Sequence, residues 1–419
     1  MIQNIEALHF RCLRYIAQPL APFHILVGPN ASGKTTFLDT IAFLGDLISG
    51  GLESAIEGRT NDLRDLVWQR KTDRFELAVD LRVPEEKNDL FPDREYSRCR
   101  YEIAIGPAPE TGETVILFER VLLLSNGHRG ERERAVVQES LFPVDRPAPE
   151  TLAIPRIRGA KTVVHKVRDG NDKFYDENGT GWDHSFKLGP GKSALANLPE
   201  DETRFPITTW LKSVLIEGVQ RLVLNSARMR RPSPPGQPRR FRPDGSNLPW
   251  VVSALEEKTP LRLSEWVAHL QTVLPDLEAI RTVERPEDRH RYLVVEYKNG
   301  LEIPSWTISD GTLRMLALTL PAYLPDFEGI YLIEEPENGI HPRAVETAFR
   351  SLSSVQDAQI LLTTHSPVII SIAEASRILC FSKTEAGATD IVLSTENPAL
   401  RDWRGETNLG VLFAEGVFG

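Results

Sequence analysis

The sequence has few cysteines and lacks any long apolar run. Its three cysteines, Cys12, Cys99 and Cys380, are isolated, with no Cys-x-x-Cys pair and no histidine at metal-ligand spacing. This pattern predicts no zinc site and no disulfide framework, and we expect buried, reduced thiols. No apolar stretch is long enough to span a bilayer, and the chain does not start with a basic, apolar signal segment. These absences predict a cytoplasmic protein with no membrane partner.

The sequence is also short of basic residues. It has 49 lysines and arginines against 59 aspartates and glutamates, so the formal net charge is -10. That charge argues against broad coating of a nucleic acid. The length of 419 residues allows about two or three domains, and a hydrophobic content of 41% can supply a sizeable core.

A phosphate-binding loop is present near the start of the chain. The apolar run 25–27 predicts a strand, and a G-x-x-x-x-G-K-T motif follows it and opens a helix. Backbone N–H groups of such a loop point at phosphates, the lysine reaches the β and γ oxygens, and the threonine hydroxyl is placed to bind Mg²⁺. The residues of the predicted nucleotide site are Gly28, Pro29, Asn30, Ala31, Ser32, Gly33, Lys34, Thr35 and Thr36.

Three further motifs lie far downstream. The run 329–333 predicts a buried strand, and it ends in the tandem acids Glu334 and Glu335. In a P-loop fold the carboxyl end of such a strand faces the nucleotide, so one carboxylate can hold Mg²⁺ through water while the next polarises the attacking water. A glutamate pair alone is more often just the end of a strand. Here a Ser-Asp-Gly-Thr motif at 309–312 precedes the pair, and a strand ending in Thr-Thr-His-Ser at 363–366 follows it.

This ordered set of motifs resembles the ABC-type ATPase heads of the RecF, SMC and OLD group. The segments 334–342 and 364–367, together with the strand 8–13, are similar to the AAA_21-type ATPases of bacterial phage-defence operons. The resemblance covers residues 1–45 and 300–385. It implies an α/β fold: a P-loop NTPase with an ABC-type head, in which helices flank a mixed sheet beside an antiparallel β-subdomain, plus a small helical, loop-rich insertion. It also implies that the protein is an ATPase with ATP and Mg²⁺ as cofactors.

The resemblance assigns catalytic and metal-binding roles around the P-loop. Glu335 would be the catalytic base, and His365 would sense the γ-phosphate. Thr35 and Glu334 would bind Mg²⁺, although ABC heads usually carry an aspartate, one methylene shorter, in place of Glu334. The glutamine that reaches Mg²⁺ in ABC heads is matched best by Gln69.

The resemblance also assigns residues that act across a subunit boundary. We call the Ser-Asp-Gly-Thr motif at 309–312 the signature. Its residues Ser309, Gly311 and Thr312 would contact the ATP of a second subunit, which implies a homo-oligomer with ATP sandwiched between two heads. Asp310 and Thr312 stand where transporters carry glycine and glutamine, whereas the serine and the second glycine are present. Arg11 is a further candidate for a nucleotide contact, but an arginine near a strand end is usually solvated or salt-bridged.

The region between the two ATPase halves contains no coiled coil, because no heptad is sustained and prolines recur. Alternating apolar residues instead predict strands in an antiparallel sheet, over 75–83, 101–105, 115–124 and 161–167. Residues 169–200 predict a loop-rich insertion, and helical spacing over 208–219 and 261–274 predicts a small helical lid. The predicted domains are 1–168 with Walker A and the β-subdomain, 169–299 with the insertion, and 300–419 with the signature, Walker B and histidine switch.

Residues 228–242 form a basic, proline-rich segment without a single acid, which we call the arginine strip. Such a segment cannot fold on its own. It is either a contact point for nucleic acid or an acidic partner protein, since each arginine can pair with a phosphate or a carboxylate, or it is a solvated loop. Its arginines are Arg228, Arg230, Arg231, Arg239, Arg240 and Arg242.

Three functions from different classes fit the sequence. The favoured one is an ATPase regulatory subunit: ATP closes a head-to-tail dimer, which holds or releases a separate effector, a toxin or nuclease, in bacterial anti-phage defence. The second is a RecF-like DNA repair or DNA-binding ATPase. The third is a scaffold that binds ATP for stability only, which the presence of Glu335 disfavours. Residues 366–419 are too few for the metal-binding domain of OLD nucleases, so we expect any cutting to be done by another polypeptide.

Overall fold

The structure is a computed structural model that describes residues 1–91, 96–125, 142–155, 159–168, 170–179 and 183–398. Its strands are β1 (Ile2–Phe10), β2 (Leu13–Pro19), β3 (Phe23–Val27), β4 (Phe75–Arg82), β5 (Tyr96–Pro107), β6 (Thr114–Ser125), β7 (Ala160–Val167), β8 (Asp172–Phe174), β9 (His184–Phe186), β10 (Val219–Leu222), β11 (Leu277–Glu284), β12 (Arg291–Tyr297), β13 (Glu302–Pro304), β14 (Gly329–Glu334), β15 (Ala358–Thr363), β16 (Ile378–Lys383) and β17 (Thr389–Leu393).

The helices are α1 (Lys34–Glu57), α2 (Glu85–Asn88), α3 (Pro206–Ser213), α4 (Ser226–Met229), α5 (Leu248–Lys258), α6 (Pro260–Gln271), α7 (Asp310–Thr319), α8 (Pro342–Ser353) and α9 (Pro367–Ile372). Within the described ranges, no helix combines the length and the apolar character needed to cross a membrane.

A six-stranded sheet forms the centre of the molecule, in the order β10-β14-β15-β3-β16-β17. Its first five strands run parallel, and only β17 is antiparallel. Every residue of β3 is buried, as expected of a parallel strand covered on both faces. Alternate side chains enter different cores: Leu26 packs on one face, and Ile25 and Val27 pack on the other. Because all five parallel strands end at one edge, their polar terminal residues meet there.

The first core lies between this sheet and an eight-stranded antiparallel sheet, in the order β2-β1-β4-β5-β6-β7-β8-β9. Helix α1 contributes Phe43, whose ring lies 5.9 Å from Phe10 and 5.5 Å from Phe75 in the antiparallel sheet. The strands predicted from alternation correspond to β4, β5, β6 and β7, and β5 begins earlier than predicted. The predicted mixed sheet with an antiparallel β-subdomain is thus confirmed.

The second core packs α5 to α9 against the other face of the central sheet. A three-stranded antiparallel sheet, β11-β12-β13, joins this layer and was not predicted. Most residues of β11 are only half-buried, so its apolar alternation is weak in the sequence. The predicted helix 208–219 was too long, because a π-turn ends it and Val219 begins β10. Strand β10, from the predicted insertion, lies at the edge of the central sheet.

The arginine strip lies against the rest of the chain and forms ion pairs with residues outside it. Arg228 lies 2.8 Å from Asp244, and Arg239 lies 3.0 Å from Glu257. Other strip arginines contact carbonyl groups or the signature. In the described part of the chain, the exposed Arg231 and Arg242 form no ion pair. The paired carboxylates neutralise part of the positive charge that would otherwise attract an anionic ligand to the strip.

Candidate nucleotide site

The P-loop joins β3 to α1 and needs glycine at two positions. A Cβ at Gly28 would lie 2.2 Å from the Phe381 carbonyl oxygen, and one at Gly33 would lie 2.2 Å from the Thr389 hydroxyl. Both glycines also have positive φ, of 149° and 105°. Strands β16 and β17 therefore pack so closely against the loop that only glycine, which has no Cβ, fits at these two positions. The first N–H groups of α1 have no partner within the helix, so they are available to an anion at the loop.

Lys34 lies inside this loop. Its ammonium donates to the carbonyl oxygens of Gly28, at 2.7 Å, and Pro29, at 2.9 Å. Burial lowers the pKa of Lys34 from its ordinary value of 10.5 to about 8, and the nearby Glu335 carboxylate opposes that shift. The ammonium is thus held by weak acceptors that phosphate oxygens can replace.

Thr35 and Glu334 provide a hard-oxygen pair at the mouth of the loop. The Thr35 hydroxyl donates to Glu334 Oε2 at 2.9 Å. Glu334 ends β14, and α1 begins one residue before Thr35, so two different elements bring these oxygens together. A hydroxyl and a carboxylate beside a phosphate cradle are the donors that Mg²⁺ takes in phosphate sites. The residues therefore fit the predicted metal.

Glu335 has a strained backbone. Its φ is 46°, which is uncommon for a residue with a side chain. Its N–H donates to the Thr363 carbonyl at 2.9 Å, and its carboxylate accepts from the Asn338 amide at 2.6 Å. Strain of this kind, held by neighbouring contacts, clusters at functional sites. The turn directs Glu335 into the nucleotide cavity, which it lines.

Glu337 holds the histidine segment and was missed as a functional residue. One of its oxygens accepts from the Thr364 hydroxyl at 2.7 Å and from the His365 N–H at 2.9 Å. The loop after Glu335 therefore sets the position of His365 directly. The motif at 334–342 contained this glutamate, but its partner could be identified only from the pairing of β14 with β15.

A cavity of 560 Å³ connects these parts. Among the predicted residues, those that line it are Arg11, Asn30, Ala31, Gly33, Lys34, Thr35, Thr36, Gln69, Glu335 and His365. Sequence reasoning missed Arg64, Arg70 and Lys383, which also line it. Lys383 ends β16, so a polar residue at the end of another strand was the available signal. Cys12 lines the cavity and is half-buried, which corrects the expectation of a fully buried thiol.

Residues with left-handed backbone conformations are concentrated at the same cavity. The described residues other than glycine with positive φ are His9, Arg11, Ala31, Gln69, Arg70, Arg289 and Glu335. Five of these seven line the cavity. Since such conformations cost free energy, their concentration at one place indicates a site shaped for a ligand.

Arg11 and Gln69 reach the cavity rim but are held there by protein groups. The Arg11 guanidinium lies 3.2 Å from Asp39, and the Gln69 amide donates to the Ala386 carbonyl at 2.8 Å. A nucleotide contact by Arg11 and a metal contact by Gln69 remain predictions.

The signature residues face elsewhere. None of Ser309, Gly311 and Thr312 is among the described residues that line the nucleotide cavity. Ser309 caps α7, since its hydroxyl accepts from the Thr312 N–H at 3.2 Å. Gly311 packs so closely that a Cβ there would lie 2.9 Å from the Gly339 carbonyl oxygen. The signature thus contacts the loop that follows Glu335 without reaching its own P-loop.

Comparison with solved structures finds heads of similar fold. A crystal structure of an Smc head bound to the C-winged helix domain of ScpA matches 93% of this chain and 97% of that chain, with 15% identity and a TM-score of 0.53. The Smc head of Pyrococcus furiosus bound to the C-terminal domain of ScpA covers 93% of this chain and 95% of that chain, with 13% identity and a TM-score of 0.49.

A curated relative is more limited in extent. The OLD nuclease of Thermus scotoductus is 46% identical over 48 residues, which span 11% of this chain and 9% of that protein. The family model described as "AAA domain, putative AbiEii toxin, Type IV TA system" matches residues 23–371.

Fold and site together define a P-loop NTPase with an ABC-type head, whose fold is similar to that of the Smc head. Within that class, the chain belongs to the AAA_21 family, whose model covers most of its length. The predicted fold class and family resemblance are confirmed.

Proposed function

We propose that the chain binds and hydrolyses ATP with Mg²⁺ and acts as a homodimer. The convergence of Lys34, Glu335 and His365 on one cavity is the observation that carries this proposal. Lys34 binds the β and γ phosphates, while Thr35 and Glu334 hold the metal. Bound Mg²⁺ neutralises charge on the phosphate oxygens. Glu335 accepts a proton from the attacking water, and His365 contacts the γ-phosphate.

The position of the signature supports dimerisation. Because Ser309 does not line its own nucleotide cavity, a phosphate contact by Ser309 requires the ATP of a second head. Two such contacts form at once in a symmetric dimer. Light scattering with phosphate-release measurements tests this: we expect a monomer with ADP and a dimer with ATP. Full hydrolysis by a protein that stays monomeric would contradict the proposal.

We further propose that this dimer controls a separate effector in the cytoplasm, in anti-phage defence. The family description refers to a toxin–antitoxin system, and the Smc head in the matched structure binds another protein. We place the effector contact at a cleft of 510 Å³ beside the signature. It is lined by Ala227, Arg230, Arg231, Pro232, Arg285 and Trp306. The cleft offers to an acidic protein segment the exposed indole of Trp306 and the guanidinium of Arg231, which has no carboxylate partner among the described residues.

The effector contact can be tested in cells. We expect the product of a neighbouring gene to co-purify with the chain and to become toxic when Lys34 or Glu335 is altered. Toxicity of the chain expressed by itself, without any partner, would show that it is the toxic component and would overturn its role as a regulator.

A RecF-like DNA-binding ATPase is the second candidate. The exposed Arg231 and Arg242 favour it, since neither forms an ion pair in the described part of the chain. The net charge of -10 opposes approach to a polyanion elsewhere on the surface.

A further inference from the structure

The carboxylate of Glu334 has different partners on its two oxygens. Oε2 accepts from the Thr35 hydroxyl, the contact expected between two magnesium ligands. Oε1 accepts from Nε of Arg221 at 3.0 Å and also from its Nη2. Arg221 precedes Glu334 by 113 residues and belongs to none of the sequence motifs described above.

Strand pairing places Arg221 at this point. Strand β10 pairs in parallel with β14, and Arg221 lies opposite Leu332, two residues before Glu334. The two strands begin in close contact, since a Cβ at Gly329 would lie 2.6 Å from the Gly218 carbonyl oxygen. The register is therefore closely constrained, and the long Arg221 side chain runs along β14 to the carboxyl edge of the sheet.

The pair contributes little to stability. The side chains of Arg221 and Glu334 are 48% and 28% exposed, and solvent screens ion pairs as exposed as this one. Its effect on geometry is larger. Glutamate has one more rotatable bond than the usual aspartate, and a planar guanidinium that contacts one oxygen through two N–H groups restricts that freedom. The contact leaves Oε2 directed at Thr35.

We propose that Arg221 is a positioning residue that allows a glutamate to serve as the magnesium acid of this ATPase. It holds Oε1 of Glu334 and so presents Oε2 beside Thr35. This inference rests on the proposed function, because it requires Mg²⁺ and ATP at the P-loop.

The test is a Mg²⁺ titration of the binding of a fluorescent ATP analogue, with binding in EDTA as a second readout. We expect Arg221→Ala to raise the half-saturating Mg²⁺ concentration by about tenfold, or about 1.4 kcal/mol, while binding in EDTA stays unchanged. Arg221→Lys should raise the half-saturating Mg²⁺ concentration by a smaller factor, since an ammonium keeps the charge but lacks the planar pair of N–H donors. Arg350→Ala, which removes an exposed ion pair with Glu346 on α8, is the matched control and should leave the titration unchanged.

The double-mutant cycle with Glu334→Asp separates positioning from other roles. In the aspartate background, Arg221→Ala should have a smaller effect, because the shorter acid does not need the arginine. A Mg²⁺ titration of Arg221→Ala that coincides with the wild type would overturn the inference alone. A loss of binding in EDTA would show that Arg221 contacts the nucleotide or supports the fold, and would also overturn it. A wild-type protein without Mg²⁺-dependent binding would refute the proposed function itself.

Discussion

The Arg230 guanidinium lies 2.8 Å from the Asp310 carboxylate, and Asp310 directly follows the signature serine, Ser309. The same guanidinium donates to the Ile308 carbonyl at 2.9 and 3.2 Å. One arginine of the strip therefore contacts the residues on both sides of Ser309. We expect a ligand in the neighbouring cleft to act on the signature through this contact.

Replacing Arg230 tests that connection. The pair is partly exposed, so Arg230→Ala should lower stability by about 1 kcal/mol or less. We expect normal ATP binding but weaker ATP-dependent dimerisation, because Ser309 loses its support. Arg228→Ala is the matched control, since Arg228 belongs to the same strip but pairs with Asp244, outside the strip and away from Ser309. Light scattering against ATP concentration measures the effect, and equal behaviour of the two variants would contradict the connection.

The different proposed roles of Lys34, which binds phosphate, and Glu335, which accepts a proton from water, give a second prediction. Lys34→Ala should weaken ATP binding, because the lysine supplies charge to the β and γ phosphates. Glu335→Gln should bind ATP normally and stop turnover, because only the acceptor of the water proton is lost. Equilibrium binding and single-turnover phosphate release measure both. Hydrolysis by Glu335→Gln at the parent rate would show that another group is the base.

Local patterns made the nucleotide site predictable. The P-loop follows β3 without interruption, and the acids and His365 each follow an apolar strand, so sequence position alone placed them at one sheet edge. Alternation also made the antiparallel sheet predictable: in β4, Phe75, Leu77, Val79 and Leu81 are apolar and occupy every second position.

Contacts that depend on the pairing of strands far apart in the sequence could not be predicted. Arg221 reaches Glu334 only through the register of β10 with β14, and Glu337 reaches His365 only because β15 lies beside β14. Strands β11 to β13 were missed because their half-buried residues carry little alternation. No local signal in the sequence encodes these contacts.

The signature can be tested by a charge placed at its cap. Ser309→Asp and Ser309→Asn both keep an N-cap for α7, so stability should stay within about 0.5 kcal/mol. Only the aspartate sets a negative charge against a γ-phosphate from the second subunit, and we expect it to weaken the ATP-dependent dimer by at least about tenfold relative to asparagine. Sedimentation with ATP measures the difference. Equal dimerisation would remove Ser309 from the phosphate contact.

A substitution at Gly311 would be less informative. A Cβ at this position would lie 2.9 Å from the Gly339 carbonyl oxygen, so even alanine would push on the loop that carries Glu335. Loss of hydrolysis would then have two causes.

Replacing Arg231 and Arg242 distinguishes the two candidate functions. If the strip grips nucleic acid, Arg231→Ala with Arg242→Ala should abolish binding of a labelled DNA duplex. The wild-type affinity should then fall by about 0.9 log units per log of salt for each phosphate contacted. We expect weak duplex binding throughout and loss of effector co-purification in the double variant. Tight, salt-sensitive duplex binding that the double variant loses would make DNA repair the better function.

The pKa of Lys34 predicts how ATP binding depends on pH. Its pKa of about 8 in the free protein is lowered by burial, and phosphate oxygens should raise it again. Below pH 8 the lysine is charged with or without ATP, so this group adds no pH dependence. Above pH 8 the free protein has lost the proton that the complex keeps, so affinity should fall by up to about tenfold per pH unit, with proton uptake on binding.

Calorimetry between pH 6.5 and 9.5, in buffers with different ionisation enthalpies, measures the affinity and the proton uptake together. Lys34→Arg is the control, since a guanidinium stays charged over this range and any residual binding should be independent of pH. The free energy of unfolding should change in the opposite sense. The unfolded lysine keeps its ordinary pKa of 10.5 and binds more protons between pH 8 and that value, so this residue's contribution to stability rises with pH. Wild-type ATP affinity that stays constant up to pH 9.5, without proton uptake, would show that Lys34 is not held in the desolvated loop that its contacts with Gly28 and Pro29 define.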